Sequence, residues 1–431
     1  MPESAEICEM CPKRHRNGTC LINGCWIAPR HPVCDYGRRM IHNAHEAECP
    51  PKDFCQNKTE NNKMKTKMIK AVFAEANAAV SKVVLKDGLS PFSRVLLDVA
   101  GSNVSLTGSS GYMQLTWRME GETVGDGAAT LPGARLAAFA AAMPEGTVEL
   151  VKTANDRVTL TGGDVSYKVA SGEASEYAMM AGPKAGTAKM EIPSATLREM
   201  LRKVKFAMAT DATRPALCGV NVKIDGNRLE MTATDGRTLA HVEKEVLSNG
   251  ASFDITLPAK TVGVLWWLLD KETEELDIQS DGRTVRIMGA KWCLTAKVID
   301  QKYSDWRRVV PGNPTHKATI ARSVFLDALG RASLAMDNDG GVKIGFDEGR
   351  ITFAAKSEFA NADISMKECK IEAKEKEKHT FHFNPKLLKD ALESIDDDEF
   401  TLGYGWGGAS GPVLIKCSLP WMAVVMPMQV K

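Results

Sequence analysis

The stretch LEMTATDGRTLAHVE, Leu229–Glu243, reads as two strands around a polar turn. Apolar residues alternate through Leu229, Met231 and Ala233, a Thr-Asp-Gly turn interrupts, and an apolar-rich run resumes at Leu239. Two other segments have the same form, VSLTGSSGYMQLTW (Val104–Trp117) and ITFAAKSEFANADISM (Ile351–Met366). Each follows a segment with the apolar spacing of an amphipathic helix: Ile69–Val84 before the first, Pro193–Met208 before the quoted one, Ala321–Met336 before the last. Three more helical segments alternate with these, Pro132–Met143, Pro258–Leu269 and Asn384–Ile395, and each leads into further strand-like sequence at Val148–Ala170, Leu276–Asp300 and Phe400–Met428. Four of the six openings carry a proline in the first turn, where a missing N–H costs nothing. A recurrence carried by helices, prolines and strands together sets the fold. It predicts an α+β chain of three domains of about 120 residues, each made of two copies of a helix followed by a short antiparallel meander.

A chain of 431 residues is also too long for one core, since single cores stop growing near about 250–300 residues. The expected organisation is a Cys/His-rich segment over 1–55, a polar linker over 56–67 reading QNKTENNKMKTK, and domains over 68–187, 188–315 and 316–431, with the head ending near Met64. The formal charge of +1 carries no overall basic signature, so any nucleic-acid contact has to come from a local arrangement of Lys and Arg. No run of about 18 apolar residues occurs, and the N-terminus carries Cys, His and charge where a signal peptide needs an apolar stretch. A cytoplasmic protein with no membrane contact is the expectation.

Seven of the eleven cysteines fall in the first 55 residues. Cys8 and Cys11 form a CxxC, Cys20, Cys25, His31 and Cys34 follow closely, and His42, His45, Cys49 and Cys55 lie further on. In a reducing compartment such a cluster reads as one or two tetrahedral zinc sites, with Cys8, Cys11, Cys20, Cys25 and Cys34 as the leading ligands. A reduced or disulfide-linked appendage, and translation from a start upstream of Met64 or Met68, are the other readings. The body has no Walker loop, no nucleophile elbow and only four histidines, His241, His316, His379 and His382. The run Asp396, Asp397, Asp398 reads as a solvated helix end rather than a metal site. The body is therefore expected to be non-catalytic.

The run LREMLRKVKFAMATDATRPALCGVNVKIDGNRLEMTATDGRTLAHVE, Leu197–Glu243, resembles the second domain of the bacterial DNA polymerase III beta subunit family, with the ATDG turn followed by Leu as its hallmark. LTAKVIDQKYSDWRRVVPGNP, Leu294–Pro314, looks like the end of that domain and its connector to the third, and VVMPM, Val424–Met428, matches the family's C-terminal tail. The resemblance runs from about Met64 to Lys431 and leaves out the cysteine-rich head.

It implies a head-to-tail homodimer whose six domains close a ring around double-stranded DNA without reading its sequence, a processivity factor for the replicative DNA polymerase that also engages a clamp loader. Tyr167 and Val169 of one first domain would meet the neighbourhood of Leu334 in the other subunit's third. Helices would line the pore, with Lys82, Lys86, Arg135, Arg198, Arg202, Lys203, Lys205, Lys260, Arg331, Lys386 and Lys389 as the candidate phosphate contacts. An apolar groove between the second and third domains would take short linear peptides of partner proteins. Its matching positions are Leu217, Thr234, Gly236, Arg237, Leu239, Arg308, Val309, Asn384, Val424, Val425, Met426, Pro427 and Met428.

The chain departs from the family's pattern in three places. Arg237 and Thr238 stand where His-Arg is frequent after the turn, and Gln429 and Val430 replace a terminal Arg-Leu. Near Met336–Gly341 one residue is missing together with an aromatic that flanks the groove. A shifted peptide preference is expected. The competing hypothesis is a zinc-dependent nucleic-acid-binding regulator or enzyme that uses the clamp-like body as a scaffold. A ring predicts about twice the 46.9 kDa chain mass in solution; a monomer with metal-dependent hydrolysis favours the alternative.

Overall fold

The computed structural model describes Cys20–Ile22, Cys25–Ile27 and residues 64–429 apart from 87–89, 154–155, 338–339, 348, 368–369, 374–377, 407 and 419. Residues 1–63 and 64–431 form two separate compact units. In the first, Cys20–Ile22 and Cys25–Ile27 pair antiparallel, with Ile22 opposite Cys25.

Among its described residues the second unit contains six α-helices: α1 (Lys70–Val80), α2 (Gly133–Ala142), α3 (Ser194–Val204), α4 (Ala259–Leu269), α5 (Arg322–Ser333) and α6 (Pro385–Glu393). All fall inside the helical segments read from the sequence; five end earlier, by up to four residues, and α4 ends at Leu269 as read. They pack in pairs, α1 with α2, α3 with α4 and α5 with α6. Each is preceded by a strand, and before α2, α3 and α4 the proline reading hid it. Pro132, Pro193 and Pro258 do not open their helices from inside. They are the extended residues just before the first turn and close strands Gly127–Pro132, Lys189–Pro193 and Phe253–Pro258. Only Pro385 occupies the first turn, behind Asn384, whose side-chain oxygen accepts from the Lys386 N–H.

The recurring unit is thus a strand, a helix and a three-stranded meander, twice per domain. The polar stretch read as a linker over 56–67 ends sooner than expected: Lys65–Ile69 is a strand, with Met64, Thr66 and Met68 buried. Alternate residues of that Lys/Thr-rich segment face the core, which a composition argument does not see.

Two antiparallel sheets run across the domain boundaries. Met113–Glu120 of the first domain pairs with Trp292–Lys297 of the second, Trp117 opposite Trp292, in an eight-stranded sheet. Thr238–Glu245 of the second pairs with Trp421–Val425 of the third, Leu239 opposite Val424, in a nine-stranded sheet. Both seams obey one rule: the third strand of one domain's first meander joins the last strand of the next domain's second meander. Among the described residues that rule leaves two complementary edges, Val165–Ala170 in the first domain and Asn361–Lys367 in the third, each paired on one side only.

Candidate partner-binding groove and DNA face

The pleat at the second seam sorts side chains to opposite faces. Ala240, Val242, Ala423, Val425, Val413 and Ile415 enter the main core. Leu239, Val424 and Leu414, directly opposite one another across three strands, form a separate apolar row on the other face. Trp306, Val310, Trp406 and Met422 pack against that row. The Trp306 and His241 rings stack with centroids 4.0 Å apart, and the Trp406 indole N–H donates to the Asn313 carbonyl at 3.0 Å.

The connector that carries Trp306 is fastened by charge. Arg307 Nη2 donates to both Glu230 oxygens, at 2.9 and 2.6 Å, and Glu230 is nearly buried while also lying 3.4 Å from Arg228 Nε. The Arg307 guanidinium sits 4.4 Å over the Trp306 ring. His241, beneath the same indole, bonds Thr232 Oγ1 at 2.9 Å. Burial pushes its pKa down to about 4 against the opposing pull of the Glu230 and Glu243 carboxylates. It is neutral at pH 7.

The ATDG turn frames one end of the row. Asp235 Oδ1 accepts from the Arg237 and Thr238 N–H groups, Thr234 Oγ1 donates to the Thr238 carbonyl, and Gly236 takes a φ of +86° that an L side chain rarely adopts. The tail continues past it: Met426 N–H donates to Arg237 O at 2.8 Å and Met428 N–H to His382 O at 2.6 Å. A side chain at Gly341 would collide with the Met428 sulfur, 2.9 Å from where a Cβ would stand.

Of the groove residues read from sequence, Leu239 and Val424 form the row, and Thr234, Gly236, Arg237, Met426, Pro427 and Met428 lie along the turn and tail beside it. Val425 does not belong there. It is fully buried in the main core, because neighbours on a strand point to opposite faces. Leu217 is half-buried in the turn Pro215–Leu217, Val309 is 60% exposed, and Arg308 projects into solvent with Asp305 at 3.3 Å. The Asn384 oxygen is committed to capping α6. Sequence reasoning missed Leu414, Met422, Trp306, Val310 and Trp406. Period-2 alternation from Val424 and Leu239 points to Met422, but the Gly-rich surroundings of Trp406 carry no such signal.

The candidate phosphate contacts lie on or beside the helices. Lys82, Lys86, Arg135 and Lys260 are exposed. Arg198 pairs with Asp270 and Arg202 with Asp396. Arg331, Lys386 and Lys389 make contacts with Asp327, Asp390 and Glu393 one turn away. Lys203 is a correction. Only 2% of its side chain is exposed and its ammonium is held by Glu199 at 2.6 Å, because that side of α3 packs on strand Thr238–Glu245. It is a buried structural cation.

At the expected subunit interface Leu334 is 85% exposed and Tyr167 stacks on Phe139 with centroids 4.2 Å apart. Val169 is 4% exposed and sits in the first domain's core, so it presents no interface side chain. Of the zinc candidates, Cys8, Cys11 and Cys34 lie outside the described residues, while Cys20 and Cys25 stand on the short paired strands. Among the described residues no group of three or more His, Cys, Asp or Glu side chains is arranged to hold a metal ion. No helix among them is long and apolar enough to cross a membrane.

Three repeated domains joined through continuous sheets, with paired helices and an apolar row at a seam, define the architecture of a DNA clamp. Family models described as the DNA polymerase III beta subunit central domain and C-terminal domain match residues 191–305 and 307–428, together more than half of the chain. The beta sliding clamp of Proteus mirabilis is 26% identical over 338 residues, covering 78% of this chain and 91% of that one. That of Escherichia coli K12 is 25% identical over 265 residues, covering 61% and 72%. Crystal structures of the Bacillus subtilis DNA polymerase sliding clamp and the C. crescentus beta sliding clamp superpose with TM-scores of 0.80 at 23% and 24% identity, each covering 86% of this chain and all of the other. The chain belongs to the DNA polymerase III beta subunit family, and its function is that of a DNA sliding clamp in replication.

Proposed function

We propose that two copies of this chain join head to tail into a ring that encircles duplex DNA and holds the replicative polymerase on it without catalysing any reaction. One observation carries the reading. The two seams inside the chain follow a single pairing rule, and the edges the rule leaves over are Val165–Ala170 and Asn361–Lys367. Joining the third-domain edge of one copy to the first-domain edge of another repeats the rule. A heterologous contact of this kind closes when the rotation completes a circle, and closure also hides both edges. The exposed Leu334 and the Phe139–Tyr167 stack would flank that third seam.

Retention on DNA then comes from topology, and phosphate contacts from the helices stay weak, salt-sensitive and indifferent to sequence. The row Leu239, Val424 and Leu414, walled by Trp306, Trp406 and Met422, is the docking groove for short peptides of the polymerase, the clamp loader and other partners, with apolar anchors of Leu or Phe type. Tethering makes polymerase rebinding effectively intramolecular.

The test is to load the protein onto nicked circular DNA with a clamp loader and then linearise the circle. The protein should persist on the closed circle, run off the cut ends, and have about twice the chain mass in solution. Equal retention on linear DNA overturns the ring.

A further inference from the structure

Among the described residues six cations lie over aromatic rings, and four of them converge on two consecutive tryptophans of α4. Lys82, just after α1, lies 4.6 Å from the Trp267 ring centroid and Lys271 5.0 Å from it. Arg198 of α3 lies 4.8 Å from the Trp266 centroid and Lys205 4.5 Å from it. Both indoles are half-buried, with one edge against the core. Successive helix positions are turned by about 100°, so Trp267 meets the first domain while Trp266 meets the companion helix of its own.

Four like charges gathered around one helix repel each other unless something holds them. The π faces do so without neutralising them. Two carboxylates complete the arrangement: Glu75 of α1 reaches Lys271 at 3.2 Å, and Asp270 pairs with Arg198. Both ion pairs are substantially exposed, so they exchange readily with other anions.

We infer that Trp266 and Trp267 are positioning residues for the DNA backbone, holding Lys82, Lys271, Arg198 and Lys205 as a preassembled phosphate contact that releases Glu75 and Asp270 when a duplex enters. The inference rests on the reading that the helices face DNA. Lys82, Arg198 and Lys205 are candidates already read from sequence. The indoles, Lys271 and the exchange with carboxylates are not.

The probe is a fluorescein-labelled duplex of about 20 base pairs, its affinity for the full-length protein followed by anisotropy across a salt series. Each phosphate contact contributes about 0.9 to the slope of log affinity against log salt, so W267L should make the slope shallower by about two, and W266L likewise. W267F, which keeps a π face, should restore most of it. K82Q/K271Q should reproduce the W267L change, and adding W267L to that pair should change little more, since indole and ammonium act as one unit.

Duplex addition should also alter the indole emission of the parent protein, with most of that change gone in W266F/W267F, a readout that holds even where the leucine variants fail to fold. If the leucine variants fold, dimerise and bind with unchanged slope while the parent protein stays on circles, the indoles are interdomain packing and the inference is wrong. If the parent protein shows neither salt-dependent duplex binding nor retention on circles, the DNA-face reading itself falls and takes the inference with it.

Discussion

Two arginines at the junction of the second and third domains pair with carboxylates in opposite surroundings. Arg307 holds Glu230, which is 7% exposed, on the sheet side of the junction, with its guanidinium over the indole that walls the groove. Arg202 holds Asp396, which is 73% exposed, and ties α3 to the segment after α6. The difference teaches where charge in this molecule is architecture and where it is available to a ligand. A carboxylate taken out of water cannot lose its partner cheaply, whereas one left in water is already solvated and gives its partner up.

Breaking the pair whose carboxylate is buried is the severest test of that contrast. Arg307→Ala leaves Glu230 with only the more distant Arg228, and should cost about 3 kcal/mol in urea denaturation. Its effect on the salt dependence of duplex binding should be small. A loss below about 1 kcal/mol would mean that water reaches Glu230 and that the two pairs are alike.

The next effect tests what the fastened connector is for. Trp306→Ala removes one wall of the groove, and an aromatic hot-spot residue of this kind is worth about 2 kcal/mol in binding. Affinity for a peptide with Leu and Phe anchors, measured by isothermal titration, should fall about 30-fold, with the native mass unchanged. Arg308→Ala, solvent-projecting beside the same turn, should change peptide affinity much less. An equal loss from both would shift the groove toward the exposed side of the connector.

Acidification sharpens the same comparison. His241 sits at about 4 in the folded protein against an ordinary 6.5. As pH falls below about 6.5 the unfolded chain takes up this proton first, so stability is lost progressively until about pH 4. Burial lowers His382 as well, in the same direction. The carboxyls of Glu199 and Asp396 are held below their ordinary values by hydrogen bonds from Lys203 and Arg202, so their contributions disappear only at lower pH. His241→Phe should keep the stack on Trp306 and flatten the denaturation midpoint between pH 6.5 and 4.5. An unchanged pH profile would place the lost stability elsewhere.

The repeat was legible because helix spacing and prolines survive in a single sequence, and because the ATDG, RRVVPGNP and VVMPM motifs fix where the meanders and the tail lie. The strands before α2, α3 and α4 were not, since a proline that ends a strand and one that opens a helix look alike until backbone angles are known. The groove was half legible. Leu239 and Val424 came with the motifs, but Val425 could be excluded only by the pleat, and Trp306 and Trp406 come together only through the folding of a connector and a loop far apart in sequence. Lys203 reads as a surface cation in any composition argument. Its burial depends on which side of α3 meets the sheet, a tertiary fact with no local signature.

The smallest expected effect completes the contrast at α3. Arg202→Ala breaks an exposed pair, and such pairs contribute about 0–1 kcal/mol. The urea midpoint should therefore barely move, and the Asp396 carboxyl should relax toward its ordinary value as its leading hydrogen bond disappears. If Arg202 faces DNA, the same substitution should make the salt slope of duplex binding shallower by about one. Stability and salt slope thus separate the two arginines in opposite directions, the first falling for Arg307→Ala and the second for Arg202→Ala. Should Arg202→Ala instead destabilise the fold as much as Arg307→Ala, the helix side of the junction would be as structural as the sheet side, and exposure would no longer mark the charges that serve DNA.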